Sequence, residues 1–271
     1  MNYWVRNSCF LLVALMLISG CRFSKLRKSA DWRVKYDAAL AYYEDQDYYR
    51  ASILFEEILP IIRGTEEAEL ANYYFAYSYF YQKQYILSSH YFKSFVEVYS
   101  RSEYAMEGTY MHAFSLYKQS PAYSLDQTST YEAIAAMQTF LDNYPYSEFA
   151  PKADDIIDEL QVKLERKAYE NAKLYYKIES YKAALVALEN FRVDYPDSKF
   201  QEEISFLKIE AAYKLAKVSI KSKQKERFTE TISHYETFID RYPSSEFLKD
   251  AERMYADSIE ELSNFADQNN I

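Results

Sequence analysis

A short motif that occurs three times constrains the fold of this chain more than any other feature. It reads Phe-x3-Tyr-Pro-x-Ser-x-Phe and spans residues 140–149, 191–200 and 238–247. The residue before a proline is disfavoured in the α conformation, so the motif tyrosine is expected to end a helix. The motif serine is suited to accept a hydrogen bond from a free N–H group at the start of the next helix. A copied unit that ends one helix and starts another predicts a helical-repeat array rather than an enzyme built around one pocket.

The motif therefore predicts specific helix ends and helix starts. The tyrosines expected to end helices are Tyr144, Tyr195 and Tyr242. The serines expected to cap the following helices are Ser147, Ser198 and Ser245. In the second copy Gln201 follows Ser198 by three residues, which is the spacing of a capping box.

The repeat extends upstream of each motif tyrosine and has two further copies. Anchor residues lie fourteen positions before the tyrosine or its equivalent: Tyr48, Tyr85, Thr130, Tyr181 and Phe228. Three positions after each anchor is a small residue: Ala51, Ser88, Ala133, Ala184 and Thr231. Seven and ten positions after it are larger, mostly apolar residues: Phe55, Phe92, Met137, Leu188 and Tyr235, then Ile58, Phe95, Phe140, Phe191 and Phe238. These offsets lie on one face of an α-helix and predict five helical hairpins.

Composition supports an all-α fold. The 271 residues include only three glycines, and neither alternating β-branched runs nor Asn-Gly turns occur. We expect repeats at about residues 31–63, 66–102, 103–147, 148–198 and 199–245, followed by a capping helix over 246–265 and a frayed tail over 266–271. The apolar face of the capping helix is predicted to contain Ala251, Met254, Tyr255, Ile259 and Leu262. Stacked hairpins would share one continuous core.

The N-terminal segment has the pattern of an export signal. Residues 1–20 contain Arg6 and then an apolar run over 9–18, which is too short to span a bilayer. The run ends in Leu-Ile-Ser-Gly-Cys, which resembles the bacterial lipobox and predicts that Cys21 carries a covalent lipid. The alternative is an ordinary signal peptide with a coincidental cysteine. Cys9 lies in the removed segment, so Cys21 would be the single cysteine left, unable to form an internal disulfide.

A basic segment follows the predicted lipidation site. Residues 21–30 would form the lipidated N-terminus and its tether. The basic residues of this tether are Arg22, Lys25, Arg27 and Lys28. We interpret this segment as an unfolded spacer, with attraction to anionic lipid headgroups as an additional role.

Several functional classes are disfavoured by the sequence. The net charge of −9 and the absence of a basic stripe argue against a nucleic-acid partner. The three histidines lack the spacing of metal ligands, and no phosphate-binding loop or nucleophile motif occurs. Carboxylate pairs such as Glu56/Glu57 and Glu202/Glu203 are interpreted as solvated. We therefore expect no catalytic residue, no metal, no cofactor other than the covalent lipid, and no small-molecule substrate.

Tyrosine is unusually abundant, with 30 in the chain. Residues 73–81 contain seven aromatic side chains among nine positions, which point all round a helix and cannot all face one core. Tyrosines left on the outside are suited to act as rigid binding anchors. The predicted partner or peptide-binding residues are Tyr36, Tyr43, Tyr73, Tyr74, Tyr77 and Tyr81. The alternative is that these aromatics pack on the N-terminal segment around Trp32.

With a lipobox, five hairpins and the Tyr-Pro-x-Ser motifs, the chain resembles the BamD family, the lipoproteins of the outer-membrane barrel-assembly machinery. The resemblance implies a right-handed α-solenoid of about five tetratricopeptide-like hairpins plus a C-terminal capping helix. It also implies a lipid anchor in the outer membrane with the repeats on the periplasmic side. The C-terminal repeats would dock onto a BamA-like barrel protein and contact other subunits, and the N-terminal repeats would receive unfolded outer-membrane precursors. The first two repeats depart from the motif, with Ile62-Arg63 and Tyr99-Ser100 in place of Tyr-Pro.

Two other functions fit a secreted helical-repeat chain. One is a periplasmic adaptor of the Tol–Pal or cell-envelope coordination type, which would usually have a coiled coil before the repeats. The other is a surface nutrient-binding lipoprotein, which would usually have large loop insertions. Neither feature occurs here.

Overall fold

The computed structural model describes residues 23–268, with side chains described as far as residue 265. Within this range the backbone forms eleven α-helices and one helical turn over residues 23–27, with no β-strand. The helices are α1 (Trp32–Glu44), α2 (Tyr48–Ile58), α3 (Glu67–Tyr81), α4 (Tyr85–Val98), α5 (Ala105–Gln119), α6 (Thr128–Asn143), α7 (Ala150–Lys177), α8 (Tyr181–Asp194), α9 (Gln201–Lys217), α10 (Lys221–Arg241) and α11 (Leu248–Gln268). Consecutive helices from α1 to α6, and again from α8 to α11, pack against each other. The predicted all-α fold with tetratricopeptide-like packing is confirmed.

Several predictions fall on other parts of the chain. The signal peptide over residues 1–20, the lipidation site Cys21 and residues 269–271 of the tail lie outside the described residues. Helix α11 continues to Gln268, into the segment predicted to fray. Among residues 23–268, none of the helices combines the length and the apolar character that crossing a bilayer requires.

The chain divides into two compact units, the first ending at Leu160 and the second beginning at Gln161. The first unit contains α1 to α6 and the beginning of α7, and it has two apolar clusters. One includes Phe55 and Phe75, and the other includes Phe92 and Phe140. The second unit contains the rest of α7 and α8 to α11. Its clusters are built around Leu188 with Phe191, and around Phe206 with Phe238.

The repeat face predicted from the spacing forms the core of both units. In all five repeats the residues three, seven and ten positions after the anchor are buried. At the tenth position, Ile58 and the four phenylalanines are at most 2% exposed. Helix α2 ends at Ile58, just before Leu59-Pro60, and is therefore shorter than the spacing suggested. Ile62 is nevertheless fully buried, so the core position is kept without the helix.

The helix ends predicted from the prolines are confirmed. Tyr144, Tyr195 and Tyr242 are the C-cap residues of α6, α8 and α10. Each cap N–H donates to the carbonyl oxygen of the motif phenylalanine, at 2.9, 3.0 and 2.8 Å respectively. The following proline has no N–H and cannot continue the helix.

The motif serines behave differently from the prediction. The hydroxyl oxygens of Ser198 and Ser245 accept hydrogen bonds from the N–H groups of Phe200 and Phe247, at 3.0 and 3.1 Å. These N–H groups belong to the turn before the helix, not to the helix itself. The Ser147 hydroxyl is buried and has no hydrogen-bond partner within the described part of the chain.

The predicted capping box at Ser198 is wrong. The Gln201 side-chain amide donates to the backbone carbonyl oxygens of Arg192 and Tyr195, at the end of α8. The last carbonyl groups of a helix have no hydrogen-bond partner within that helix. The Gln201 side chain, which was predicted to cap the start of α9, therefore caps the end of α8.

The turns within three hairpins share one backbone geometry. Gln46, Lys83 and Glu179 have φ values of 62°, 60° and 61°. The N–H of the next residue donates to a carbonyl five residues earlier, at 2.8 Å after Gln46 and 3.0 Å after Lys83 and Glu179. This is the Schellman arrangement, whose left-handed residue is usually glycine. These turns could not be recognised from the sequence, because none of them has glycine at the left-handed position.

Two local predictions about the ends of the chain need correction. Phe23 contacts the Tyr42 ring edge to face at 5.7 Å, and the Arg27 side chain forms an ion pair with Glu57 at 2.7 Å. Residues 23–27 are therefore a docked helical turn rather than an unfolded spacer, and Glu57 is not simply solvated. In α11, Ile259 is 45% exposed, whereas Ser258 is fully buried. Ala251 and Met254 of the predicted face are buried, so the difference is that Ser258 takes the place of Ile259 in the buried row.

Candidate functional site

The tyrosine-rich helix α3 packs against α2 on one side and α4 on the other. A helix that is apolar all round is suited to this position between two neighbours. Tyr73 and Tyr77 are 6% and 8% exposed and lie in the cluster that contains Phe92. The prediction that these two tyrosines face a partner is therefore wrong.

Tyr77 has a structural role. Its hydroxyl donates to the carboxylate of Glu107 in α5. Burial, and then this bond to a carboxylate, raise the pKa of the Tyr77 phenol. The hydroxyl consequently stays protonated and acts as a donor that links α3 to α5.

Tyr36 lies in a different place from the other predicted residues. It packs, half-buried, against the first-repeat cluster together with Trp32 and Phe23. Burial, followed by the nearby Glu67, raises its pKa. The surroundings of Tyr36 match the alternative in which the early aromatics pack near Trp32.

Three of the predicted residues come together at one cavity of about 380 Å³ between α1, the start of α2, and α3. They are Tyr43, Tyr74 and Tyr81, and the structure adds Tyr48, which was recognised in the sequence only as a repeat anchor. We call these four side chains, with Leu40 and Leu70, the tyrosine groove. Glu44 and Gln46 complete its lining.

The rings of the tyrosine groove hold one another in place. Tyr48 and Tyr81 are stacked with their centroids 4.5 Å apart, and the centroids of Tyr43 and Tyr74 are also 4.5 Å apart. Tyr43 contacts Tyr48 edge to face at 5.4 Å. Such offset and edge contacts are the favourable geometries for aromatic pairs. The groove is therefore a rigid surface, and Tyr81, which is 47% exposed, is its most accessible ring.

The hydroxyls of Tyr43 and Tyr48 are neutral hydrogen-bonding groups. Burial, and then the neighbouring tyrosines, raise the pKa of Tyr43. Burial also raises the pKa of Tyr48. A surface of apolar ring faces and neutral phenols can cover apolar side chains and hydrogen-bond a peptide backbone at the same time.

Sequence analysis did not identify Tyr48, Leu40 and Leu70 as groove residues. They lie on three different helices, which only the tertiary structure brings together. One signal was present: the first-repeat anchor follows directly after a hairpin turn, so Tyr48 must lie beside the end of α1. Which residues of α3 lie opposite depends on the packing of α1 against α3.

A larger cavity, of about 680 Å³, lies between α2, α3 and α4. Its lining includes Asn72 and Tyr99, whose side chains are 3.4 Å apart, and the Asn72 amide also donates to the Ala68 carbonyl at 2.7 Å. The Asn72 amide is therefore already used within the fold, whereas the tyrosine groove collects three of the predicted binding residues and is the better candidate.

The described residues contain no group of three or more side chains that could hold a metal ion. The half-buried His112 has its Nδ1 atom 2.9 Å from both the hydroxyl and the carbonyl oxygen of Ser89. Burial lowers the pKa of His112, so its ring is a neutral hydrogen-bonding link between α4 and α5.

Comparison with known proteins places the chain in a family. The model of the YfiO family, described as outer membrane lipoprotein, matches residues 29–184 and 164–265. A search of curated proteins finds no match. The family match agrees with the resemblance to the BamD family seen in the repeat motifs. Because the matched residues cover most of the chain, the protein belongs to the YfiO family of outer membrane lipoproteins.

Proposed function

We propose that this lipoprotein is a non-enzymatic scaffold of the outer-membrane barrel-assembly machinery. It is anchored by lipid on Cys21 at the periplasmic side of the outer membrane. It binds a BamA-like barrel protein together with other subunits of the machinery, and it receives unfolded outer-membrane precursors to promote their insertion. Family membership supports the setting, and the tyrosine groove is the observation that carries the binding role.

The chemistry of the groove fits an unfolded barrel strand. Strands of outer-membrane barrels alternate apolar and polar residues and are rich in aromatics near the membrane interfaces. In an extended segment, every second side chain points the same way, so apolar side chains can lie against Tyr43, Tyr74 and Tyr81. Neutral phenol hydroxyls can hydrogen-bond the peptide backbone at the groove edge.

This mode of binding depends little on salt. Among the described residues, Glu44 is the one charged side chain that lines the groove, and contacts between apolar rings are not screened by ions. Binding driven by the groove should therefore persist when the ionic strength is raised.

The experiment measures binding of a fluorescent peptide with the alternating pattern of a barrel strand. The double variant Tyr48→Ala/Tyr81→Ala should weaken binding by about tenfold or more, because aromatic anchors dominate such interfaces. Tyr49→Ala is the matched control, since Tyr49 is adjacent in sequence, is 64% exposed and does not line the groove. Unchanged binding by the double variant, with its helical circular dichroism intact, would refute the role of the groove.

The anchor and the partners need separate tests. Labelling of cells with a palmitate analogue should mark the natural chain and not a Cys21→Ser variant. Detergent extraction of the native membrane, followed by mass spectrometry, should recover a large barrel protein with periplasmic repeats. Recovery of Tol–Pal components in its place would contradict the proposal.

A further inference from the structure

The second unit contains a cavity of about 220 Å³ between α8, α9 and α10. Three basic side chains line it: Arg192, Lys208 and Arg241. The lining also includes His234 and Tyr242. In a chain with a net charge of −9, a cavity with three cations is an unusual local environment.

The positive charge of this cavity is only partly balanced. Glu189 forms ion pairs with both Arg192 and Lys208, each at 2.6 Å. Arg241 forms no ion pair with any described residue, and its guanidinium lies 5.6 Å from the centroid of the Tyr242 ring. One carboxylate among three cations leaves an excess of positive charge at the cavity.

Two polar side chains at the cavity also lack hydrogen-bond partners among the described residues. The Tyr242 hydroxyl is buried and makes no hydrogen bond within the described part of the chain. Neither ring nitrogen of His234 is hydrogen-bonded to a described residue, and burial, with Lys208 nearby, lowers the pKa of His234 to about 4. A buried hydroxyl without a partner is rare in folded proteins and indicates a group that is satisfied by something else.

We propose that this cavity binds a single oxyanion, a carboxylate or a phosphate group, through Arg241, Lys208 and the Tyr242 hydroxyl. Arg192 and the neutral His234 ring complete the set of available donors. Charge-assisted hydrogen bonds to an oxyanion are the strong ones, and a bound oxyanion supplies the acceptor that the Tyr242 hydroxyl lacks. Glu189 competes for Arg192 and Lys208 and so limits the affinity.

The test is a titration of the full chain in detergent micelles, followed by the NMR signals of isotope-labelled histidine rings. The probes are inorganic phosphate and the peptide acetyl-Gly-Glu-Gly-amide. Saturable shifts of the His234 signals, with His90 in the first unit unaffected, are expected for at least one probe. A response to phosphate alone would identify the ligand as a free anion. A response to the peptide would identify it as a protein carboxylate.

Three variants test the named contacts. Arg241→Gln and Tyr242→Phe should each weaken binding by about tenfold, as expected for loss of one charge-assisted hydrogen bond. Glu189→Gln should tighten it, because it frees Arg192 and Lys208. Arg101→Gln, an exposed arginine in the first unit, is the control.

The variants also remain informative if folding changes. Arg241 is exposed, so its substitution should leave the melting temperature close to that of the natural chain. Tyr242→Phe removes a hydroxyl that has no partner and should not lower stability without anion. The proposal is overturned if neither probe gives saturable shifts, or if Arg241→Gln binds as tightly as Arg101→Gln.

Discussion

The Tyr169 hydroxyl donates a hydrogen bond of 2.5 Å to the carboxylate of Glu203, and this bond joins α7 to α9. The same pairing of a tyrosine with a carboxylate recurs between other helices two apart in the chain: Tyr77 with Glu107, Tyr117 with Glu159, and Tyr213 with Asp257. Bonds of this kind are stronger than those between neutral groups. Part of the tyrosine content therefore aligns neighbouring repeats, and Glu203 is not the merely solvated carboxylate that the sequence suggested.

Tyr169→Phe should destabilise the protein by about 1–2 kcal/mol, because Glu203 loses a hydrogen bond while the ring stays in place. The Lys173 ion pair with Glu203, at 2.6 Å, keeps the loss moderate. Urea unfolding gives the free energy of unfolding. Tyr146→Phe is the control, since Tyr146 is 99% exposed, and equal stabilities of the two variants would contradict an energetic role for the bond.

Phe140→Ala should cost about 3–5 kcal/mol, because Phe140 is fully buried at the tenth repeat position and its removal leaves a cavity. The free energy of unfolding of the first unit, measured with guanidinium, gives this loss. The exposed Tyr146 lies six residues along the chain, and Tyr146→Ala should change stability by less than about 0.5 kcal/mol. A loss below about 1 kcal/mol for Phe140→Ala would mean that the repeat face is not the core.

Lys83→Gly should stabilise the protein by about 0.5–1 kcal/mol. The left-handed conformation of Lys83 is unfavourable for a residue with a Cβ atom, and glycine removes this strain. The strain relieved is expected to exceed the extra conformational entropy that glycine loses on folding. Thermal unfolding should show a higher melting temperature. Lys225→Gly, at an exposed site inside α10, should have the opposite effect, and a loss in both variants would refute the Schellman geometry at Lys83.

Glu189→Gln should reduce stability in a pH-dependent way. The bond from Arg192, and also that from Lys208, lower the pKa of Glu189 from the ordinary 4.5 to about 2. Because the folded state releases this proton more readily than the unfolded state, the ion pairs contribute fully above pH 4.5. Their contribution is lost as the pH falls from 4.5 to about 2.

The measurement for Glu189 is urea unfolding at several pH values. The difference in stability between the natural chain and Glu189→Gln should be largest near neutral pH and should narrow below pH 4.5. Glu236→Gln, on the exposed side of α10, is the control for the loss of one carboxylate. A difference that stays constant down to about pH 2 would contradict the lowered pKa.

The helix ends and the repeat core could be predicted from the sequence because both depend on local chain properties. A proline restricts the residue before it wherever the chain goes, so Tyr144 ends a helix in the structure as in the prediction. The spacing that places Phe140 on the same helix face as Ala133 is likewise a property of the helix alone. Even so, local rules failed at Gln201, where two helix ends compete for one side chain.

Only the tertiary structure decided which tyrosines face a partner and which fill the core. Tyr77 and Tyr81 are one helical turn apart on α3, yet the first is buried and the second is half exposed. Their exposure depends on how α1, α4 and α5 pack against α3, which the spacing of residues within α3 does not determine. The sequence by itself determined a helical array with a buried repeat face, since helix periodicity is a short-range property. The grooves and the ion pairs between helices, such as Glu189 with Lys208, were decided by packing, because contacts between distant residues are not encoded in local spacing.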